Sequence, residues 1–267
     1  MARTDNLTNF LTDVASAIKE KRGDTTPIPA EDFDTEITNL PGADIDWTQL
    51  GYSVGTPQEI INGYNYAKQI KDNWVKPRDM GSLYYRDRKL MFFPMVDTSG
   101  IDYINGCFSN CTSLIKIANI DVSSATDMGN FFNTCSSLRE IPDLDMRNNV
   151  NMYMFAINCF ALEKVGNINT HSVDSFFRAF YGCDALTTIP VFDFSSATNF
   201  SDMFNGCTKL SDQSADNLLQ SCLTATSYQG TKTLYSFGLN NSRLSSARVK
   251  ACPHYQDFLD AGWAIGY

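Results

Sequence analysis

Histidine is nearly missing from this chain: among 267 residues only His171 and His254 occur. That thins any case for acid–base or imidazole-based metal chemistry, since histidine titrates near neutrality and is the commonest metal ligand. Positive charge is short as well. Twenty-one basic side chains against 30 acidic ones leave a net charge of −9, which argues against binding nucleic acid or an anionic membrane through a basic surface. No apolar run approaches the roughly 18–20 residues needed to span a bilayer. Nucleophile elbow, P-loop, dinucleotide fingerprint, zinc-ligand spacing and EF-hand loop are all lacking. No catalytic residue, cofactor or metal ligand is therefore assigned.

What the chain does have is a period. Cys111, Cys135, Cys159, Cys183 and Cys207 follow one another at 24-residue steps. Leu114, Leu138, Leu162, Leu186 and Leu210 stand three residues after them, then Ile117, Ile141, Val165 and Ile189, then Ile120, Leu144, Ile168 and Phe192. Later in each unit come Met128, Met152, Phe176 and Phe200, and large apolar residues just before the next cysteine: Phe131 and Phe132, Phe155, Phe180, Met203 and Phe204. Asp87 holds the cysteine phase in an earlier unit, and Leu90, Phe93, Val96, Asp97, Ile104 and Phe108 fall in register with it. A fixed period of this length is the signature of a solenoid, in which no unit buries its own apolar face and stacking makes a continuous core. The Leu–Ile–Ile spacing suits a short strand entering a bend. A looped or 3₁₀ segment then returns the Met and Phe, and each coil adds one strand to a parallel sheet about 4.8 Å from the last.

Eight cysteines suggest a disulfide framework, but five phased ones cannot pair completely, so we read them as small buried thiols in a file. Cys107 is expected in the interior too, and Cys222 with Cys252 is the pair to test for a bridge. The row Asp121, Asp145, Asn169, Asp193 invites a calcium reading. Carboxylates stacked at strand spacing repel, however, unless their oxygens accept backbone N–H groups at a turn, and Asn169 in the same slot favours hydrogen bonding. The non-phased Lys116, Arg139, Glu140, Glu163, Lys164 and Arg178 are expected to face solvent, with no binding site named among them. Glu31/Asp32 and Asp143/Asp145 are read as solvated carboxylates, and Cys183 with His171 as structural. Asn6 and Asn110 begin glycosylation sequons that mean nothing without export.

Phe-Asn-Gly-Cys-Thr-Lys-Leu (204–210) and Ile-Pro-Val-Phe-Asp-Phe-Ser-Ser-Ala-Thr (189–198) resemble the leucine-rich-repeat surface proteins of the BspA-like type. The resemblance covers about half the chain. It implies an α/β repeat fold, a right-handed leucine-rich-repeat-type solenoid of 24-residue coils with a parallel sheet, and often adhesion or recognition. It carries no catalytic residues.

The flanks read as caps and an attachment segment. Leu7, Phe10, Leu11, Val14, Ala15 and Ile18 form one helical stripe, with Asp5 as cap and Gly23 as stop. A second short helix follows Pro29 and carries Phe33, Ile37 and Leu40. The stretch Leu7–Gly23, with Ile28–Phe33 and Ile37, resembles the N-terminal segment of many bacteriophage virion proteins, tail fibres among them. That resemblance implies attachment to a particle. The two helices either pack on the solenoid end or dock onto copies of the chain or another protein; we favour docking. Between 43 and 74, Thr56 and Glu59 start a helix that runs through Ile60, Ile61, Tyr64, Ala67, Lys68 and Trp74 and seals the first coil. Trp47, Tyr52, Tyr64 and Trp74 are read as cap core rather than a carbohydrate platform. After Leu210 the phase breaks. A helix is expected at 215–222, a strand from Thr231 to Phe237 ended by Gly238, and helix again from Ser245 to Gly262, divided by Pro253.

The expected division is thus an anchoring or oligomerisation segment (1–42), a junction and N-terminal cap (43–74), solenoid repeats (75–210) and a C-terminal cap (211–267). The N-terminus does not read as a signal peptide, which suits a protein made in the bacterial cytoplasm and carried on a virion. The expected function is that of a non-enzymatic bacteriophage structural protein. It would join other virion proteins through its N-terminal helices and display the solenoid to a host cell-surface glycan or protein, as a homo-oligomer, trimeric by analogy. The alternatives are a capsid-decorating or head-fibre protein, a bacterial surface adhesin, and a hydrolytic tail enzyme.

Overall fold

The computed structural model describes residues 57–239 and 245–266. The expected helices at 1–42, the first part of the junction with Trp47 and Tyr52, and the Thr56 cap lie outside the described residues, as do Asn6, Glu31 and Asp32.

Helix α1 spans Pro57–Asp72, with Glu59 in its first turn and Lys71 in its last, each sign where the helix dipole favours it. Its inner face buries Ile60, Ile61 and Ala67. Lys68, expected in the same apolar phase, instead points outward and pairs with Asp72 at 2.8 Å. A Cβ at Gly63 would fall 2.8 Å from Met91 Cβ, so the helix rests against the first coil where a side chain would not fit. Trp74 lies beyond the helix end rather than on it. Its ring meets Phe93 edge-on at 6.1 Å, and its indole N–H donates to the Asp97 carbonyl at 3.0 Å.

The array that follows stacks 24-residue coils in parallel register. Strands β1 (Phe92–Phe93) and β2 (Lys116–Ile117) pair as Phe92 with Lys116 and Phe93 with Ile117. Strands β3 (Glu140–Ile141) and β4 (Lys164–Val165) pair in the same way. These are two separate two-stranded sheets, so strand pairing is a smaller part of the stack than one strand per coil in a single sheet would give. Arg139 N–H still bonds the Ile115 carbonyl at 3.3 Å across the break. A second column of single bridges links Tyr103, Asp127, Asn151, Ser175 and Asn199, each 24 residues from the next.

The third column is rich in inter-coil bonds and consists of turns. Alternate backbone N–H groups reach the neighbouring coil: Ser82 to Asn105, Tyr84 to Cys107 and Arg86 to Ser109 carbonyls, at 3.0, 2.9 and 2.9 Å. The N–H groups between them close local turns, as when Leu83 donates to Met80 and Tyr85 to Ser82. The pattern recurs at Asn130, Phe132 and Thr134, and again at Met154, Ala156 and Asn158. It places two left-handed residues in every coil, four apart: Ser82 and Arg86, Gly106 and Asn110, Asn130 and Thr134, Met154 and Asn158, Arg178 and Gly182, Asp202 and Gly206. Gly and Asn take that conformation readily; Thr, Met and Arg hold it at a steric cost of about 1 kcal/mol or more.

The interior is a file of rings. Tyr84 stacks on Phe108 and Phe108 on Phe132 at centroid distances of 5.7 and 5.8 Å, one coil apart. Ala156 comes next in that column, and Phe155 fills the gap, meeting Phe132 edge-on at 5.5 Å and Phe180 at 6.0 Å. Phe180 then stacks on Phe204 at 5.6 Å. Neighbouring columns exchange volume, Phe155 beside Ala156 and Ala179 beside Phe180, so coils of equal length fill one cross-section.

Helix α2 (Asp212–Leu223), capped by the Ser211 side chain, closes the far end. Its apolar residues Ala215, Leu218, Leu219 and Cys222 are buried. A row beside them is polar and answers the unpaired backbone of the last coil. Ser214 Oγ accepts from Ile189 N–H at 3.1 Å, Ser221 Oγ from Phe192 N–H at 2.8 Å, and Thr224 Oγ1, just past the helix, from Phe194 N–H at 2.7 Å. Asn217 donates to the Ile189 carbonyl at 2.8 Å. The segment expected as a strand, Thr231 to Phe237, is a 3₁₀ turn at Leu234–Phe237. The alternating pattern misled because Leu234 and Phe237 are both buried while Tyr235 is 57% exposed, and residues three apart share a face on a 3₁₀ helix. Phe237 carbonyl accepts from Phe204 N–H at 2.8 Å, taking the place of a further coil. Gly238, at φ 78°, turns the chain where a Cβ would lie 3.0 Å from Asn205 backbone. Helices α3 (Ser246–Lys250) and α4 (Tyr255–Asp260), parted at Pro253 as expected, complete the cap.

Ser221→Ala leaves Phe192 N–H buried without an acceptor. It should lower unfolding free energy by about 1–3 kcal/mol in urea titration, whereas Ser227→Ala, at an exposed position, should change it by under about 0.5 kcal/mol.

Candidate functional site

The phased cysteines sit at equivalent places. Each thiol donates to the carbonyl 27 residues earlier: Cys111 to Tyr84, Cys135 to Phe108, Cys159 to Phe132, Cys183 to Ala156 and Cys207 to Phe180, at 2.9–3.1 Å. All eight cysteines are free and buried, Cys222 and Cys252 included. Burial pushes the Cys111 and Cys159 thiols up to about 12, and raises Cys107, Cys135, Cys183 and Cys222 well above the ordinary thiol range. Such thiols are poor nucleophiles.

The aspartate row is a file of side-chain turns. Asp97, Asp121, Asp145, Asn169 and Asp193 each accept, through Oδ1, the backbone N–H two residues on, at 2.9–3.3 Å. The Ser99 hydroxyl and the Lys76 ammonium hold the Asp97 carboxyl down at about 2. Ser123 lowers Asp121 and Arg147 lowers Asp145. Burial works against the shift at Asp193, but hydrogen bonds from Ser195 and His171 outweigh it.

The charged residues expected to face solvent are exposed or half-buried, and several of them pair along the stack. Lys164 bonds Glu140 one coil away, with both side chains only 27% exposed. Arg139 lies 3.6 Å from Glu163, and Arg178 3.2 Å from Asp202. Lys116 is half-buried at the start of the same row. Lys164, Arg139 and Arg178 each meet an anion 24 residues away in an adjacent coil, which balances much of the charge of the row.

Three clusters have the residue types of a reactive site. Cys183 and His171 are not brought together, since the thiol is in the core and the imidazole on the surface. His171 Nδ1 has Asp193 Oδ2 at 3.2 Å and Ser195 Oγ at 3.0 Å. A catalytic triad places serine and aspartate on opposite ring nitrogens; here both are on one, so no proton relay is formed. In the C-terminal cap, buried Asp216 accepts from His254 N–H at 3.0 Å, His254 Nδ1 at 2.8 Å and Gln220 at 3.1 Å. Cys252 lies on the same 440 Å³ pocket, but its thiol donates to the Arg248 carbonyl at 3.5 Å and is raised by burial and by Asp216. The group ties α4 to α2. Residues 216 and 254 are 38 apart, and no sequence spacing announces the pair. Asp143, part of an expected carboxylate pair, accepts Asn167 N–H at 2.6 Å, while Asp145 is held by Arg147. An opening of 630 Å³ lies between α1 and the first coils and is lined by Asn62, Asn65, Gln69, Arg88, Ser113 and Ser137 among others. Tyr64 and Trp74 remain at the cap, and Tyr66 donates to Asp87 at 2.7 Å, with burial raising its phenol to about 12.

Sequence reasoning missed one surface group. Tyr153, Phe177, Arg178 and Tyr181 gather on the turn column. The available signal was the phase itself, because other coils put Gly, Asn or Ser at the positions of Tyr153 and Phe177 (Asn105, Gly129, Ser201).

Residues 94–217 match the model of a family described as "Mycoplasma protein of unknown function, DUF285", which is consistent with a BspA-like repeat protein. The match runs from the first coil into α2 and does not reach the segment that resembles virion proteins. No curated protein and no solved structure matches the chain. Among the described residues no helix is long and apolar enough to cross a membrane, and no group of three or more His, Cys, Asp or Glu is placed to hold a metal ion.

Two measurements check this account. A maleimide added at pH 7 should leave Cys107, Cys111, Cys135, Cys159, Cys183 and Cys207 unlabelled in the native protein and label all six in urea; native labelling at any of them contradicts a sealed core. The lowered aspartates favour folding when ionised. Their contribution is complete above the ordinary carboxylate value of 3.8 and is lost as pH falls toward about 2. Melting temperature should hold from about pH 7 to 5 and fall below about pH 4, and Asp97→Asn should flatten that fall.

Proposed function

We propose that this chain is a non-enzymatic display rod carried on a bacteriophage particle, where it recognises the host surface as a tail-fibre or receptor-binding component. The observation that carries the reading is the stack itself. Coils bonded to their neighbours in one register, with a hydrogen-bonded cap at the end, make a stiff body with many exposed loop positions and a sealed interior. On this reading the array is a right-handed leucine-rich-repeat-type solenoid over 75–210, with 43–74 and 211–267 as caps. The BspA-like match over 94–217 supports the repeat part. The resemblance of residues 7–37 to virion proteins supports attachment through the N-terminal segment. Display on a particle favours a homo-oligomer, trimeric by analogy, because several weak contacts at high effective concentration hold a cell better than one.

The resemblance of 189–198 and 204–210 to BspA-like surface proteins supports a second reading, a repeat adhesin on a bacterial surface. An antibody to the purified chain separates the two. Gold label at the tail tip of purified particles is the expected result. Label on the head moves the protein to a capsid-decorating or head-fibre role, and label on bacterial envelopes with bare particles replaces the proposal by the adhesin.

A further inference from the structure

The turn column carries one group of side chains that the stack does not require. At the position just before the first left-handed residue of each coil stand Gly81, Asn105, Gly129, Tyr153, Phe177 and Ser201. Small or polar residues serve there in four coils, so packing does not demand a ring. In the two consecutive coils that have one, the rings stack nearly parallel, with centroids 5.3 Å apart and planes 11° from each other. Tyr153 is 40% exposed. On the next position Arg178 holds a left-handed φ of 52°, a place filled elsewhere by Ser82, Gly106, Asn130 and Asp202 as well as Met154. Its guanidinium carbon lies 5.0 Å from the Phe177 centroid and 5.2 Å from that of Tyr181. Asp202, one coil on, accepts from Arg178 Nε and Nη2 at 3.3 and 3.2 Å.

The other side of Tyr153 is shaped by what is missing. One coil earlier the same position is Gly129, which offers no side chain to cover that ring face. Polar side chains of neighbouring positions take up that place instead. A Cβ on Gly129 would meet Asn105 Nδ2 at 2.9 Å, Asp127 Oδ1 at 3.1 Å and Asn151 Nδ2 at 3.2 Å. Both amides already donate to the Asp127 carboxylate at 3.0 Å, which holds them in place. The phenol hydroxyls of Tyr153 and Tyr181 make no hydrogen bond among the described residues, and so remain open to an incoming group.

We infer that Tyr153, Phe177, Arg178 and Tyr181, with the Asn105–Asp127–Asn151 amide–carboxylate group, form a binding site for a neutral hexose-containing glycan. A pyranose ring has an apolar C–H face and a rim of hydroxyls. The first suits a flat aromatic face, and the second suits amides and a carboxylate fixed beside it. Charge decides against acidic polymers. Arg178 is paired with Asp202, Asp127 adds a negative group, and the chain carries −9 overall. An anion would meet repulsion without a free cation to repay it. The inference rests on the display reading above and names its ligand and its place on the rod.

The test uses the full-length protein. Soluble glucose-, galactose- and mannose-based hexasaccharides are titrated against it by saturation-transfer NMR, with polygalacturonate as the acidic comparison. Fluorescent protein is in parallel bound to intact bacteria. At least one neutral series should bind and polygalacturonate should not. Tyr153→Ser, which copies Ser201 of the same column, should weaken binding at least tenfold with an unchanged melting temperature. Arg178→Asn, which copies Asn130, should weaken it severalfold, and Phe160→Ser, at an exposed ring elsewhere, should have no effect. Equal binding by Tyr153→Ser and the parent, or preference for polygalacturonate, overturns the site. Adhesion to cells that trypsin treatment of those cells abolishes, without sugar binding, assigns a protein receptor instead. Failure to adhere to any cell removes the display function itself.

Discussion

A backbone N–H whose acceptor lies 23 residues ahead is the interaction on which this molecule depends. It recurs at every other residue of the turn column and ties each coil to the next. Because its geometry repeats, coil length is held at 24 residues, and an insertion in the turn column would misplace the donors and acceptors whose bonds span it. The alternate N–H groups close local turns, so little of the turn backbone is left unpaired despite the near absence of strand. Left-handed residues at two places per coil follow from the same arrangement. Some are Gly or Asn at little cost; others, such as Thr134, Met154 and Arg178, are held there by the bonds on either side.

Equal coil length imposes a second rule, on volume. A ring lost from one column must be returned by its neighbour, and Phe155 does this where Ala156 interrupts the file. The ends need a separate solution, since the last coil has no successor. Hydroxyl groups of α2 and the Phe237 carbonyl supply what the next coil would have offered. The stack is therefore finished by side chains imitating backbone.

Several of these features could be read without coordinates. The 24-residue cysteine step equals the strand-pairing offset, because identical neighbours repeat only if identical positions meet. The aspartate row was readable for the same reason: a short acceptor at a turn finds its own backbone. Other features could not be read. The pairing within the charge row was hidden because composition shows sign but not vertical neighbours, and Glu140 meets Lys164 only after stacking. The alternation from Thr231 to Phe237 looked like a strand until burial of Leu234 and Phe237 fixed a three-residue spacing. The exposed rings were hidden by habit, since aromatic residues in this array are nearly all core, and only placement separates Phe177 from Phe176.

By itself the sequence determined the repeat length, the inward file of thiols and rings, and the acceptors at the turns, because each is a local preference copied at a fixed interval. Tertiary structure alone decided which charges neutralise one another, how the open end is closed, and which aromatic faces remain outside. Those outcomes depend on contacts between residues distant in sequence, and one-dimensional periodicity has no way to specify them.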